Sequence, residues 1–322
     1  MSDGTASRTG LRTPCSSRCR LTIGLASDKE RGVRTETDFS GLWIPLVTPF
    51  HKGRVDHPAL AALVQRLGGC GVAGFVACGS TGEAAALDTH EQLALLDTVM
   101  AASTGLPVVM GLSGYQLKDT CQWLTALCEH PIAGVLVPPP AYIRPSQAGL
   151  LRWFQTLADA ATVPLIVYDI PYRTGVTITR DTLLALGHHP RIRAVKDCGG
   201  DAGKTLAVLA QGRLQVLAGE DLQIFASVAQ GAVGAIAASA HVGTSDFVHL
   251  LHLLRDGDLP AARALWNRLV PWIELAFAEP NPALIKAALA RAGHIRNELR
   301  LPMQRASSAR VAQIGTCCAN LA

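Results

Sequence analysis

The sequence predicts an α/β protein built as a closed (β/α)8 barrel with a C-terminal helical appendage, and three observations predict it. From Trp43 onward, short apolar runs alternate with longer amphipathic segments. The first six of these units recur about every 30 residues, the length of a strand–helix–strand unit. The runs are apolar on both faces, the pattern of parallel strands covered on each side. Eight such units in succession favour closure into a barrel over an open sheet.

Taken in order, the apolar runs lie at 43–47, 74–78, 107–111, 134–138, 164–169, 194–197, 215–220 and 234–238. Helix-like stretches fall between and after them at 57–70, 89–103, 119–130, 146–161, 179–187, 201–211, 222–230 and 246–255. Thr89 with Gln92 three residues on has the spacing of a capping box. Past about residue 258 the alternation stops, and 261–277 and 282–293 read as the helical appendage, followed by a poorly patterned tail from about 303. Residues 1–38 are rich in Ser, Thr, Gly and Arg without apolar period, which predicts a flexible extension. It lacks the apolar core of a secretory signal, and Asp28, Glu30, Glu36 and Asp38 speak against an organellar transit peptide. The expected layout is thus an extension over 1–38, a catalytic barrel over 39–257 and a helical region with tail over 258–322.

Composition excludes several classes. At 322 residues, with 49% hydrophobic and 17% charged, the chain can bury a large core. No apolar run approaches the ~18–20 residues of a membrane helix. The net charge of +4 is small and the basic residues are scattered, unlike a nucleic-acid binder. Nine cysteines, among them Cys15, Cys19, Cys121, Cys128, Cys317 and Cys318, fit no zinc spacing. Free thiols in a reducing cytoplasm are expected, and no metal site.

The chemistry centres on Arg193-Ala194-Val195-Lys196-Asp197-Cys198-Gly199-Gly200, a buried strand that ends on a lysine and breaks at two glycines. Lysine is strongly hydrated and is seldom buried without a partner or a task. In such barrels the chemistry sits at the carboxyl ends of the strands, and Lys196 ends the sixth. The chain has six lysines. Lys29 lies in the extension, Lys118 and Lys204 near helix starts with Lys204 on the surface, Lys286 in the appendage, and Lys52 in a polar loop. Lys196 is the one expected in an enclosed site.

Three other strand ends carry residues that could serve it. Gly79-Ser80-Thr81-Gly82-Glu83 is either a small anion cradle of backbone N–H groups beside two hydroxyls or an ordinary capped turn. In Tyr168-Asp169-Ile170-Pro171-Tyr172-Arg173-Thr174-Gly175, Tyr168 is a proton relay or a core tyrosine, and Arg173 a carboxylate grip or a solvated charge. Tyr142 follows the fourth strand with the same ambiguity. One stretch imitates a phosphate-binding loop: Gly199-Gly200-Asp201-Ala202-Gly203-Lys204-Thr205 leaves three residues, not four, between Gly199 and Gly203. A nucleotide-binding protein is the alternative it carries, and a sensor of small oxoacids is another.

On these motifs, in this order and each at a strand end, the chain resembles the dihydrodipicolinate synthase / N-acetylneuraminate lyase family of class I aldolases from about Gly41 to Met303. Val195-Lys196-Asp197 and Ala218-Gly219-Glu220-Asp221 belong to the same resemblance. It implies a Schiff base between pyruvate and Lys196, with Tyr168 assisting proton transfer and Thr81 and Tyr142 completing a hydroxyl relay, Tyr142 from a neighbouring subunit. The Ser80–Thr81 backbone would hold the pyruvate carboxylate, and Gly219 and Ile236 would complete the substrate site. Arg173 and Glu279-Pro280-Asn281-Pro282 look like the branch that condenses pyruvate with L-aspartate 4-semialdehyde in lysine and diaminopimelate biosynthesis. A relative acting on another aldehyde or a 2-keto-3-deoxy sugar acid is the nearer alternative. The resemblance further implies no metal, no cofactor beyond the covalent imine, and a homotetramer built as a dimer of dimers. The chain departs from the family pattern at Ser80, usually threonine, and at Asp169, usually asparagine, whose charge is expected to bear on substrate preference. Where lysine-inhibited members carry their feedback pocket, this chain has Gln92, Tyr115, Asp119 and Ala141, which implies insensitivity to lysine.

Overall fold

A computed structural model of the chain describes residues 37–319 together with Met1 and Leu321. Apart from Met1 and its last two residues, the extension expected over 1–38, with Cys15, Cys19 and Lys29, lies outside the described residues. Thr37–Ala322 form one compact unit.

Eight parallel strands close into a barrel: β1 Gly41–Pro45, β2 Gly74–Ala77, β3 Val108–Gly111, β4 Gly134–Val137, β5 Leu165–Asp169, β6 Ile192–Asp197, β7 Gln215–Ala218 and β8 Gly234–Ile236. Each pairs with the next, and β8 returns to β1 through Gly41↔Gly234 and Trp43↔Ile236. Because side chains alternate across a strand, each strand sends one row inward and one outward. Trp43, Val76, Val109, Leu136, Ile166, Ala194, Leu217 and Ile236, one from each strand, pack inside, with Phe39 beneath them. The outward row packs against the helices in a second, larger core. Burying each large apolar side chain stabilises the fold by about 1.5–3 kcal/mol.

The helices are α1 His57–Gly68, α2 Thr89–Ala102, α3 Leu117–Leu127, α4 Gln147–Ala160, α5 Arg180–Leu186, α6 Ala202–Gln211, α7 Ile224–Ala229 and α8 Thr244–Asp256. After the barrel come α9 Leu259–Ala276 and α10 Ala283–Arg291. The tail, expected to be unpatterned, carries two short helices, α11 Ser308–Val311 and α12 Ile314–Cys318. Two further local readings shift. The capping box of α2 is formed by Asp88 and Glu91, not by Thr89 and Gln92. Asp88 has the extended backbone a cap needs, and Gln92 instead donates to the carbonyls of Ala84 and Leu87. The loop after β1 forms a small hairpin, Phe50–His51 with Arg54–Val55, and leaves Lys52 exposed as expected. No helix among the described residues is long and apolar enough to cross a membrane.

Candidate active site

The register of β5 and β6 sets the centre of the site. Tyr168 pairs with Lys196 and Asp169 with Asp197. Lys196 follows Ala194 by two residues and therefore joins the inward row, at the carboxyl end of its strand. Its Nζ lies 4.2 Å from the centre of the Tyr168 ring. Both residues are buried, at 6% and 7% exposure. Gly219 makes room for them: a Cβ there would stand 2.6 Å from Lys196 Cγ and 2.7 Å from Cys198 Sγ.

Above Lys196 opens a cleft of about 430 Å³ lined by Ser80, Thr81, Tyr168, Tyr172, Arg173, Lys196, Gly219, Glu220, Asp221 and Ile236, with Glu279, Pro280 and Asn281 from beyond the barrel. Seven of the eight site residues named from sequence meet here. The eighth, Tyr142, does not line the cleft: it is 91% exposed, with a left-handed backbone at φ 72°. Arg173 stands at the exposed rim, its guanidinium carbon 5.9 Å from the Tyr172 ring. The Tyr168 hydroxyl hydrogen-bonds the Ser80 side chain, whereas the Thr81 hydroxyl accepts from Asn281 Nδ2 at 3.0 Å.

Burial holds the Lys196 ammonium below its ordinary pKa. Cys198 and Asp221 oppose that shift, Arg173 adds to it, and Glu220 opposes it. Desolvation, not the neighbouring guanidinium, is thus the main cause of the lowered pKa. Burial likewise raises Tyr168 well above the ordinary phenol range, so it stays a proton donor. Asp221 is pushed up to about 6 by burial, offset by hydrogen bonds from Ser239 N at 2.7 Å and Oγ at 2.6 Å. Glu220 is raised by burial, with Lys196 and a hydrogen bond from Tyr172 pulling back. The cleft therefore holds a nucleophile, a phenolic acid, three carboxyls and a rim cation, an arrangement suited to adding an amine to a carbonyl and moving protons around the adduct.

Two lysines correct the elimination made from sequence. Lys204, expected on the surface, is 3% exposed and ion-paired with the fully buried Asp169; its Nζ also donates to Ile178 O at 3.3 Å. The charge at Asp169 accordingly faces Lys204, not the substrate cleft. Lys286 is fully buried and donates to Glu83 at 2.6 Å. Lys196 is not the only enclosed lysine, but the other two each hold a carboxylate. The stretch that imitates a phosphate loop is likewise spoken for: Gly199 N donates to Asp197, Asp201 caps α6, and Lys204 is turned inward.

Sequence reasoning quoted Glu220, Asp221, Glu279 and Asn281 inside motifs without a role. For Glu220 and Asp221 the available signal was their place at the end of the seventh apolar run, where such barrels put chemistry. Among the described residues no group of three His, Cys, Asp or Glu side chains is placed to hold a metal ion.

Fold and site together define a (β/α)8-barrel enzyme organised on a buried strand-end lysine. The chain belongs to the dihydrodipicolinate synthetase family, whose model matches residues 38–318. A relative from Thermodesulfovibrio yellowstonii, 4-hydroxy-tetrahydrodipicolinate synthase, is 36% identical over 82% of this chain and 92% of its own length. One from Clostridium acetobutylicum, 4-hydroxy-tetrahydrodipicolinate synthase 2, is 34% identical over 82% and 93%. Among solved structures, the chloride-inhibited dihydrodipicolinate synthase from Acinetobacter baumannii complexed with pyruvate superposes with a TM-score of 0.85 at 27% identity, over 88% of this chain and 99% of that one. A monomeric dihydrodipicolinate synthase variant gives 0.85 and 27%, over 89% and 98%.

Proposed function

We propose that this enzyme condenses pyruvate with L-aspartate 4-semialdehyde to 4-hydroxy-tetrahydrodipicolinate, the activity named for its relatives, through an imine at Lys196. The observation that carries the reading is the desolvated Lys196 amine beside Tyr168 on the floor of a cleft with a cationic rim. Neutral Lys196 adds to the pyruvate ketone, and Tyr168 moves protons so that water leaves and the imine forms. The imine withdraws electrons, the pyruvate methyl loses a proton, and the resulting enamine attacks the aldehyde carbon. The product's own amino group then displaces Lys196 from the imine carbon. Ser80 and Thr81 hold the pyruvate carboxylate, and Arg173 at the rim takes that of the semialdehyde.

The exposed Tyr142 fits an assembly in which a second copy completes the hydroxyl relay, a homotetramer made of paired dimers. The seven described cysteines are free thiols, in keeping with a cytoplasmic setting. Sodium borohydride reduction in the presence of pyruvate, followed by mass spectrometry of the peptide carrying Lys196, tests the chemistry. Lys196→Ala is expected to abolish trapping, and an undiminished adduct on any other lysine sinks the assignment.

A further inference from the structure

A second cavity, of about 370 Å³, opens on the flank of the molecule between α1, the segment after β8, α10 and α12, and shares no lining residue with the catalytic cleft. Its polar lining is basic: Arg66, Arg291 and His294 contribute, and none of its described lining residues is an Asp or Glu. Arg66 is half-buried, donates through Nη2 to His241 O at 3.0 Å, and its buried Nε has no hydrogen-bond partner among the described residues. Arg291 forms no ion pair among the described residues; its Nη2 occupies the space beside Gly315, where a Cβ would come within 3.2 Å. Val242, Leu289 and Ile314 supply an apolar wall. Among the described residues Arg66 and Arg291 line the cavity without a carboxylate, and the stranded buried Nε of Arg66 is a costly arrangement unless an acceptor arrives.

We propose that this cavity binds a small organic carboxylate with an apolar tail, its head on Arg66 and Arg291 and its tail against Val242, Leu289 and Ile314. The adjoining His241 is a fixed strut for the site: its Nε2 accepts from Val47 N, so Nδ1 donates to Ala238 O.

Isothermal titration of the full chain with hexanoate tests the proposal, with hexanol and inorganic phosphate as the two half-ligands. Hexanoate should bind saturably at one site per chain, hexanol should not, and Arg66→Met and Arg291→Met should each weaken hexanoate about ten-fold or more. Arg291 is exposed, so Arg291→Met decides the matter if Arg66→Met proves unstable. Arg173→Ala, which alters the catalytic cleft, should leave hexanoate binding unchanged. Absence of a saturable heat overturns the proposal, as does binding that is lost in Arg173→Ala yet kept in Arg291→Met. Binding of phosphate without hexanoate overturns the assigned ligand class.

Discussion

Replacing Lys204 with methionine keeps the stem of the side chain and removes the ammonium from a pair whose side chains are 2% and 0% exposed. Asp169 would keep one weak donor, Ile178 N at 3.4 Å. Breaking a buried pair from one side costs about 3–5 kcal/mol, because an uncompensated charge stays behind. Thr37–Ala322 is a unit of about 290 residues, and unfolding entropy of about 2.1 cal/mol/K per residue makes its slope ~0.6 kcal/mol per degree. Lys204→Met should therefore lower Tm by ~5–8 °C. Asp169→Asn, which strands the ammonium instead, should cost a similar amount. The double variant Asp169→Asn/Lys204→Met carries no buried charge at the site and should lie within ~1 kcal/mol of the parent, a coupling of several kcal/mol. Urea denaturation of all four proteins measures this cycle. A Lys204→Met variant as stable as the parent refutes the view that the pair is closed to water.

Arg173→Ala should reduce kcat/KM for aspartate semialdehyde about 30- to 1000-fold while borohydride trapping of pyruvate persists, since loss of a charge-assisted contact costs about 2–4 kcal/mol. L-lysine should not inhibit: Gln92 is committed to two backbone carbonyls and Ala141 offers no hydroxyl, so half-inhibition at submillimolar lysine, with both substrates near KM, contradicts this. The contributions of two buried groups to the pH dependence of stability should largely cancel between about 4 and 6, because they oppose each other there. Asp221, raised to about 6, makes the folded state hold the extra proton, so its contribution is lost as pH rises. His241, lowered to about 4, makes the unfolded state hold it, so its contribution is lost as pH falls. Asp221→Asn should then make the slope of stability against pH more positive than the parent's across this window, by up to ~3 kcal/mol in all, and a curve of unchanged slope counts against the burial of Asp221.

The barrel was legible because its signal is repetitive: eight apolar runs alternating with helical stretches favour the strands of one covered parallel sheet. Lys196 was legible for the same reason, since its place at a strand end follows from the repeat. The electrostatic companions were not. Asp169 and Lys204 are 35 positions apart, and α6 looks amphipathic with Lys204 near its start, so no local pattern distinguishes an inward ammonium from an outward one. Lys286 was lost in the same way, inside a helix read as an accessory. Asp221 and Glu220 stood in plain view at the end of the seventh run, but no local pattern shows that both carboxyls line the cleft of Lys196.

The helices past the barrel are better understood as part of the catalytic architecture than as an appendage. Glu83 sits directly after Ser80-Thr81-Gly82 in a left-handed conformation, φ 53°, which a residue with a Cβ adopts only when its surroundings enforce it. Those surroundings come from the C-terminal region: Lys286 Nζ binds Glu83 Oε1 at 2.6 Å and Arg300 N binds Oε2 at 3.0 Å. Arg300 also grips Glu91 and the carbonyls of Gly53 and Ala86, and both cations cover the Phe50 ring. Asn281 reaches the Thr81 hydroxyl itself, while from the barrel side Thr48 Oγ1 donates to Gly82 O at 2.6 Å. The two hydroxyl residues of the cradle are thus held between the loop after β1 and residues 281–300. A loop of small residues has little stiffness of its own, and its geometry here is set by charges brought from more than 200 positions away.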